Sequence, residues 1–254
     1  MKRHFQGMIQ IVRFNPWFYL AGAVTLMVGT VLLLMMWALI STPLHWAGVA
    51  GLCLATWWLA ASLVVSYLVY DRSDWSRGEW FAEVAGGSPF RRVLNVHCGF
   101  DETTSRLRNW LPNVEVVALD LFDPVRLTET SIHRARALLP PEPGTLTGSP
   151  EQWPVPAASF DVICFLLSAH EYRRASERAD LFRRASESLR PGGIVILAEH
   201  GRDVANFAAF GPGFLHFHSP AAWSHAWSEA GLTMLKQRRV TSWLRVWSLH
   251  LSHS

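Results

Sequence analysis

The chain has 254 residues, half of them apolar, and a formal net charge of +3. Lys2, Arg3 and Arg13 account for this whole excess, so the rest of the chain is formally neutral. That neutrality argues against a nucleic-acid partner, which normally needs a basic face. The three cysteines lie in apolar segments, which argues against a disulfide framework.

The first predicted element is a long apolar run near the N-terminus. Residues 14–70 contain no Asp, Glu, Lys or Arg, which is enough for two membrane-spanning helices of roughly 20 residues each. A break at Ser41-Thr42-Pro43 divides the run, and we predict spans over residues 17–40 and 46–70. Aromatic residues lie mostly near the span ends, as membrane interfaces favour. A buried hairpin in a soluble protein is the alternative.

The charges that flank the two spans predict their orientation. Basic residues precede the first span and the connecting turn is uncharged, so the positive-inside rule places both termini in the cytoplasm. We therefore expect a multi-pass protein of the inner (cytoplasmic) membrane, with residues 1–70 as its anchor. Residues 71–89 form a predicted linker that ends in the turn-forming sequence Gly86-Gly87-Ser88-Pro89. Its Trp75, Trp80 and Phe81 are expected along the lipid headgroups.

Strand-like and helix-like segments alternate after residue 90, which is typical of a parallel sheet covered by helices. The predicted strands are 92–97, 114–119, 145–147, 160–167 and 193–199. The predicted helices are 101–111, 128–139 and 173–189, and Pro191-Gly192-Gly193 is expected to end the last of them. A further helix, 220–230, precedes an antiparallel β-pair over 232–238 and 241–251.

Three stretches of this region resemble the class I S-adenosylmethionine-dependent methyltransferases with a type 11-like domain. VLNVHCG resembles the first glycine-rich motif of that family, and VEVVALD places Asp120 at the end of the second strand. GSPEQWPVPAASFDVI followed by LRPGGIVIL resembles the segment around the fourth and fifth strands. The resemblance implies a Rossmann-like α/β domain over residues 90–254. It also implies S-adenosyl-L-methionine as the cofactor, with four residues at its site: His97, Gly99, Asp101 and Asp120.

The chemistry of these positions agrees in part with a cofactor site. Ligands of open parallel sheets bind beyond the carboxyl ends of the strands, and Gly99 would let the backbone approach one closely. Asp120 is suited to accept hydrogen bonds from two ribose hydroxyls. Asp101 and Glu102 serve equally well as caps of the next helix, and Arg202 is the candidate to offset their charge. Four residues depart from the family's pattern: Asn95, His97, Asp101 and Ser149.

A second group of polar residues follows the predicted strand ends. His170 and Glu171 close the fourth strand, and Glu199 and His200 close the fifth. A His–Glu pair can act as a general base on a hydroxyl that accepts a methyl group, so we predict these four residues as catalytic. We also expect His97 to turn towards the same pocket.

His216 and His218 add two imidazoles to this region. They are two residues apart, so an extended segment would present both on one face. Imidazoles and carboxylates also bind divalent metals, which lower the pKa of a coordinated hydroxyl. A general base, a divalent metal bound by His216 and His218, and a structural polar network are therefore three open interpretations.

The combination of anchor and α/β domain predicts a membrane-anchored methyltransferase. Its substrate is expected to be a lipid-soluble small molecule such as a quinone, an isoprenoid, a pigment precursor or a lipid, because an anchor raises the effective concentration of such a substrate. The missing glycines support an alternative, a catalytically inactive accessory or structural subunit of a respiratory or photosynthetic membrane complex. The expected partners are the lipid bilayer and the hydrophobic substrate, and other membrane proteins under the alternative.

Overall fold

The N-terminal part of the chain is helical in the computed structural model, which describes residues 5–86 and 90–252. A π-helical segment, Tyr67–Arg72, continues the third helix, and prolines lie in the first turns of the second and third, where a missing N–H is tolerated. The helices in this part are α1 (Gln6–Phe14), α2 (Pro16–Met35), α3 (Thr42–Ser66), α4 (Asp74–Arg77) and α5 (Glu79–Val84).

Helices α2 and α3 correspond to the two predicted spans. Both are long and apolar enough to cross a membrane, and none of the α2 candidate is buried within the protein. Large apolar side chains such as Leu34 and Trp46 are 65% exposed. Contiguous apolar surface of this kind marks a site of interaction with membrane or protein. The pair is therefore a candidate membrane hairpin on length and composition.

The rest of the described chain is built on a seven-stranded sheet in the order β3-β2-β1-β4-β5-β7-β6. Strands β1 to β5 pair in parallel, whereas β7 is antiparallel to both of its neighbours. The predicted mixed sheet with a C-terminal antiparallel pair is confirmed. Its strands are β1 (Arg92–His97), β2 (Glu115–Asp120), β3 (Leu146–Thr147), β4 (Phe160–Leu166), β5 (Leu189–His200), β6 (Leu232–Arg239) and β7 (Leu244–Leu251).

Helices connect and cover these strands close to the predicted positions. The helix predicted over 173–189 spans Ala175–Ser188 in the structure. Strand β5 begins at Leu189, before the Pro191-Gly192-Gly193 turn that we expected to precede it. The helices are α6 (Thr104–Trp110), α7 (Thr130–Leu138), α8 (Ala175–Ser188), α9 (Val204–Phe210) and α10 (Pro220–Glu229).

Helices α4 and α5 pack against the sheet. Trp75, Trp80 and Phe81 are at most 1% exposed and join the core that contains Val93 and Val162. The prediction that these aromatic side chains lie along lipid headgroups is wrong, because this face of β1 and β4 needs an apolar cover. The turn predicted to follow them falls largely on residues 87–89, outside the described residues.

The N-terminal helices dock directly onto the α/β part. The carboxylate of Asp71 accepts hydrogen bonds from two backbone N–H groups at the start of α1, at 2.9 and 3.2 Å. Gly7 is required at this contact because a Cβ would lie 2.4 Å from the Cβ of Tyr70. Trp57 of α3 donates its indole N–H to the carbonyl of Ala208 in α9, at 3.0 Å. These contacts bring α1 and α3 to the edge where the parallel strands end.

Candidate functional site

A cavity of about 410 Å³ lies at the carboxyl ends of β1 and β4. Its lining is mostly apolar and comes from two parts of the chain. The α/β part contributes residues that follow the strands, among them Cys98, Leu167, Ser168, His170, Glu171 and His200. The N-terminal helices contribute the opposite wall, including Ile11, Phe14, Phe18, Tyr19, Ser66 and Tyr70. The candidate anchor is therefore part of the cavity itself.

The carboxylate of Glu199 organises the turn after β4. Its Oε1 accepts the backbone N–H groups of Ser168 and His170 at 3.1 and 3.2 Å, and its Oε2 lies 2.7 Å from His170 Nδ1. Parallel pairing of β4 with β5 brings these residues together. Glu199 is fully buried, and a buried charge persists only with such partners. Glu199 is therefore a positioning residue for His170.

His170, Glu171 and His216 form a polar group on the cavity wall. His170 Nε2 lies 3.5 Å from Glu171 Oε1, and the rings of the two histidines are 5.2 Å apart. Burial lowers the pKa of His170, but the charges of Glu199 and Glu171 outweigh it and raise the pKa to about 10. Burial and the charge of His170 lower the pKa of His216 to about 4. At neutral pH the free proton acceptor among the two histidines is His216.

His200 links the end of β5 to the N-terminal helices. Its Nδ1 lies 3.0 Å from the carbonyl oxygen of Trp243, to which it donates, so its Nε2 accepts the hydroxyl of Tyr70 at 2.9 Å. Burial and the nearby charge of His170 lower the pKa of His200 to about 4, so the ring is neutral. Both ring nitrogens are engaged, which leaves none free for a substrate in this arrangement.

His216 and His218 do not share a site, contrary to the prediction. His218 is 6% exposed, its Nε2 lies 3.4 Å from Arg178 Nη1, and its ring lies against Trp223. His216 belongs to a 3-10 helix, Gly211–His216, and this removes the two-residue alternation of an extended segment. In the described part of the chain, the side chains close enough together to bind one metal ion are those of His170, Glu171 and His216.

Arg202 binds backbone carbonyls and does not offset the acidic residues after β1, so that prediction is wrong. Its guanidinium donates to the carbonyls of Leu215 and Phe217, each at 2.8 Å. The cation near Glu102 is Arg106 in α6. Burial raises the pKa of Glu102 above its usual value, and Arg106 opposes that rise. Arg202 therefore fixes the segment that carries His216.

The glycine turn after β1 is closed by side chains of the protein itself. Gly99 has a φ of +98°, and a Cβ on it would lie 2.5 Å from the Phe122 ring. Asp120 Oδ1 accepts the backbone N–H groups of Gly99 and Phe122, both at 3.0 Å, and its Oδ2 pairs with Arg136. The Arg136 guanidinium also covers the Phe122 ring, 4.5 Å from its centroid. Asp120 is 1% exposed and fully engaged.

His97 lies between Asp101 and Asp120, and the prediction that it turns towards the strand-end pocket is wrong. Its Nδ1 is 3.5 Å from Asp120 Oδ1, and its Nε2 is 3.8 Å from Asp101 Oδ2. Side chains alternate along a strand, so His97 shares a face with Asn95, whose amide donates to two threonine hydroxyls at the start of α6. Burial lowers the pKa of His97.

In this arrangement the glycine turn after β1 and the end of β2 leave no room for the nucleoside half of S-adenosylmethionine. The Phe122 ring fills the space beside Gly99, and Arg136 occupies the second oxygen of Asp120. Asp101 is engaged as a cap, because its Oδ1 accepts two backbone N–H groups at the start of α6 at 3.1 and 2.9 Å. The cavity lining includes neither Gly99 nor Asp120. A bound nucleoside would require movement of Phe122 and Arg136.

Sequence reasoning missed the residues contributed by the N-terminal helices and the pair that closes the glycine turn. Tyr70 is the last residue of the uncharged run and stands beside Asp71, a position that marks the boundary between anchor and domain. Nothing in the sequence marks Phe122 or Arg136 as partners, because their contact depends on how α7 packs.

Comparisons with known proteins agree with this fold. Residues 93–193 match the protein family described as "Methyltransferase domain". No curated protein matches the chain significantly. The PH0226 protein from Pyrococcus horikoshii OT3 superposes with a TM-score of 0.52 at 13% identity, over 72% of this chain and 95% of that one.

Two solved methyltransferases are also similar. The mitomycin 7-O-methyltransferase MmcR has a TM-score of 0.52 at 14% identity, over 76% of this chain and 56% of that one. An S-adenosylmethionine-dependent methyltransferase from Clostridium acetobutylicum ATCC 824 has a TM-score of 0.50 at 13% identity, over 70% and 91% of the two chains. Identities this low establish the fold alone. The chain therefore carries a Rossmann-like domain with the fold of the class I S-adenosylmethionine-dependent methyltransferases.

Proposed function

We propose that the protein is a membrane-anchored, S-adenosylmethionine-dependent methyltransferase that acts on a lipid-soluble small molecule such as a quinone, an isoprenoid, a pigment precursor or a lipid. One observation carries the proposal: the strand-end cavity is walled on one side by residues of α1, α2 and α3. Small-molecule pockets measure about 300–1,000 Å³, and this cavity falls in that range. A ligand in it contacts the anchor and the sheet edge together.

The position of α9 supports entry of such a ligand from the bilayer. Helix α9 packs along α3, where the rings of Trp58 and Phe207 are 5.5 Å apart. Residues 204–215 carry no charge, and Val204 and Leu215 are 82% and 54% exposed. If α3 spans the membrane, these side chains lie in the cytoplasmic leaflet, as apolar faces of interfacial helices do. A lipid-soluble ligand then reaches the cavity without crossing water.

In this proposal the protein is a multi-pass protein of the inner membrane, with both termini and the α/β domain in the cytoplasm. The basic residues before α2 and the uncharged turn at residues 41–45 support that orientation. The bilayer and the hydrophobic substrate are its partners. Tethering at the surface raises the effective concentration of a substrate that stays in the membrane.

The closed glycine turn favours a second candidate function. With Asp120 engaged by Arg136 and with Phe122 against Gly99, the domain could serve without a cofactor as an accessory subunit of a membrane complex. Helix α2, none of which is buried, would offer its apolar surface to other membrane proteins. The two functions differ in whether the side chains of Phe122 and Arg136 can move away from Gly99 and Asp120 to admit the cofactor.

Titration calorimetry of the detergent-solubilised full chain with S-adenosylmethionine separates the two functions. The enzyme proposal predicts heat of binding, and tighter binding by Phe122→Ala, because a closed state that must open first weakens apparent affinity. Val125→Ala is the matched control: this side chain is 83% exposed in the same loop, so its loss leaves affinity unchanged. Folded wild type and Phe122→Ala that both show no heat at millimolar ligand would favour the accessory function.

A further inference from the structure

Three metal-ligating side chains meet on the cavity wall, away from the glycine turn. His170, Glu171 and His216 each offer one ligand atom, and these atoms all lie within 4.8 Å of one another. The side chain of Glu171 is 10% exposed, and its Oε2 is buried without a hydrogen-bond partner among the described residues. A buried acceptor of this kind is rare and points to an absent partner.

The orientation of His170 suits coordination of a metal. Its Nδ1 donates to Glu199 Oε2 at 2.7 Å, and its Nε2 lies 3.5 Å from Glu171 Oε1, so a metal ion would take the place of the proton on Nε2. Metal-binding histidines commonly donate their other ring N–H to a carboxylate, which fixes both tautomer and ring orientation. Glu199 is itself fixed by two backbone N–H groups, so this orientation is built into the ends of β4 and β5.

The neighbouring histidines are unsuited to the same role, and the charge of the group favours a cation. His200 has both ring nitrogens engaged, and His218 lies against a guanidinium. Within the described part of the chain, the ion pairs of Glu171 and Glu199 are made with His170 alone. The guanidinium of Arg173 also acts on Glu171, and a divalent cation would take the place of the imidazolium proton between the two buried carboxylates.

We propose that His170, Glu171 and one ring nitrogen of His216 bind a divalent transition-metal ion such as Zn²⁺, with its remaining coordination positions open to the cavity. Two imidazoles and a carboxylate suit Zn²⁺ and its neighbours better than Mg²⁺ or Ca²⁺. Ligands about 2.0–2.2 Å from a metal lie roughly 3–3.5 Å apart, so side-chain rotations suffice to close the group. The open positions would let the metal polarise an oxygen atom of the cavity's ligand.

Cobalt spectroscopy tests the site without any methyl donor. The full chain, purified without a histidine tag and stripped with chelator, is expected to bind one equivalent of Co²⁺ with visible d–d bands that Zn²⁺ abolishes. Glu199→Gln should weaken binding by about 10–100-fold through His170, and His216→Ala and Glu171→Gln should weaken it further. His225→Ala is the control, because this histidine is 66% exposed and lies on α10, away from the cavity. The Co²⁺ affinity of this variant should match that of the wild type.

Two results would overturn the site. One is the absence of Co²⁺ binding by wild-type protein that circular dichroism reports as folded. The other is stoichiometric binding that persists in the folded double variant His170→Ala/His216→Ala. Since no methyl donor is present, either result leaves the proposed function standing, and a failure to bind S-adenosylmethionine leaves the metal site standing.

Discussion

Glu199 is the residue on which the strand-end group depends. It is fully buried, and within the described residues the hydrogen bonds that its carboxylate accepts come from the turn after β4. Its charge faces the imidazole of His170, whose pKa it helps to raise. Removing one partner of a buried charged pair leaves the other uncompensated, which costs more than the pair itself contributes. The geometry of the whole group therefore depends on one carboxylate that does not line the cavity.

Replacing this carboxylate should destabilise the protein strongly. Glu199→Ala is expected to lower the free energy of unfolding by about 3–5 kcal/mol, because His170 and two backbone N–H groups lose their acceptor. Glu187→Ala removes a half-exposed carboxylate that pairs with Arg184 on α8, and it should cost less than about 1 kcal/mol. Denaturant unfolding in detergent measures both, and equal losses would contradict the assigned role of Glu199.

At this scale the sequence predicts which residues end each strand better than it predicts their contacts. His170, Glu171 and Glu199 meet as expected because parallel strands end at one edge. His97 was misassigned although strand alternation places it on the face of Asn95. The pairing of Asp120 with Arg136 joins a strand to a helix sixteen residues later, and no local pattern predicts it.

Helix α9 is the element that joins the cavity wall to α3, and Asp203 caps it. Asp203 Oδ1 accepts the backbone N–H of Asn206 at 3.0 Å, and its Oδ2 lies 2.7 Å from Arg245 Nη2. Burial acts to raise the pKa of Asp203, but the hydrogen bonds from Asn206 and the charge of Arg245 outweigh it and hold the pKa below its usual range. The start of α9 is thus tied to β7 through Arg245.

Loss of this cap should have a pH-dependent cost. Asp203→Ala is expected to lower the free energy of unfolding by about 1 kcal/mol at neutral pH. Because the folded pKa lies below the unfolded value of about 3.9, the stabilisation is complete above that pH and is lost as pH falls through the folded pKa. Thermal unfolding at several pH values should therefore show the two proteins converging in acid, and a gap that widens in acid would count against the cap.

A long apolar run predicts its helices well, whereas the packing of an element against distant partners is not predicted from the sequence. The uncharged run predicts two helices by length alone, and the structure has them as α2 and α3. The aromatic residues of α4 and α5 suit either a membrane interface or a protein core. The aromatic residues enter the core because β1 and β4 present an apolar face that α4 and α5 cover. This face exists only once the sheet has formed, so the sequence of α4 and α5 does not reveal it.

The whole molecule is arranged so that its candidate anchor and its sheet share one cavity. Tyr70 at the end of the apolar run bonds His200 at the end of β5, and Phe14 of α1 packs on Phe100 after β1, with ring centroids 5.0 Å apart. These contacts fix the N-terminal helices relative to the strand ends. In the proposed membrane-anchored protein, the orientation of α2 and α3 therefore also sets the side of the membrane on which the cavity lies.

Reporter fusions test that orientation. A reporter fused after Ser254 should be active in the cytoplasm, and one inserted into the turn at residues 41–45 should be active on the opposite side, because basic residues precede the first span whereas this turn carries no Lys or Arg. Periplasmic activity of the fusion after Ser254 would reverse the topology and remove the bilayer route to the cavity.

Transfer of a labelled methyl group to a lipid-soluble product tests the central claim most directly. The full chain in lipid nanodiscs is incubated with methyl-labelled S-adenosylmethionine and a lipid extract of its host, and label is measured in the organic phase. Ser66→Phe fills the cavity from α3, where the side chain is 1% exposed, whereas Thr56→Phe adds the same ring to the exposed face of that helix. We expect organic-phase label from wild type and Thr56→Phe, and loss of this label in Ser66→Phe. No label from any folded protein, or equal label from all three, would contradict it.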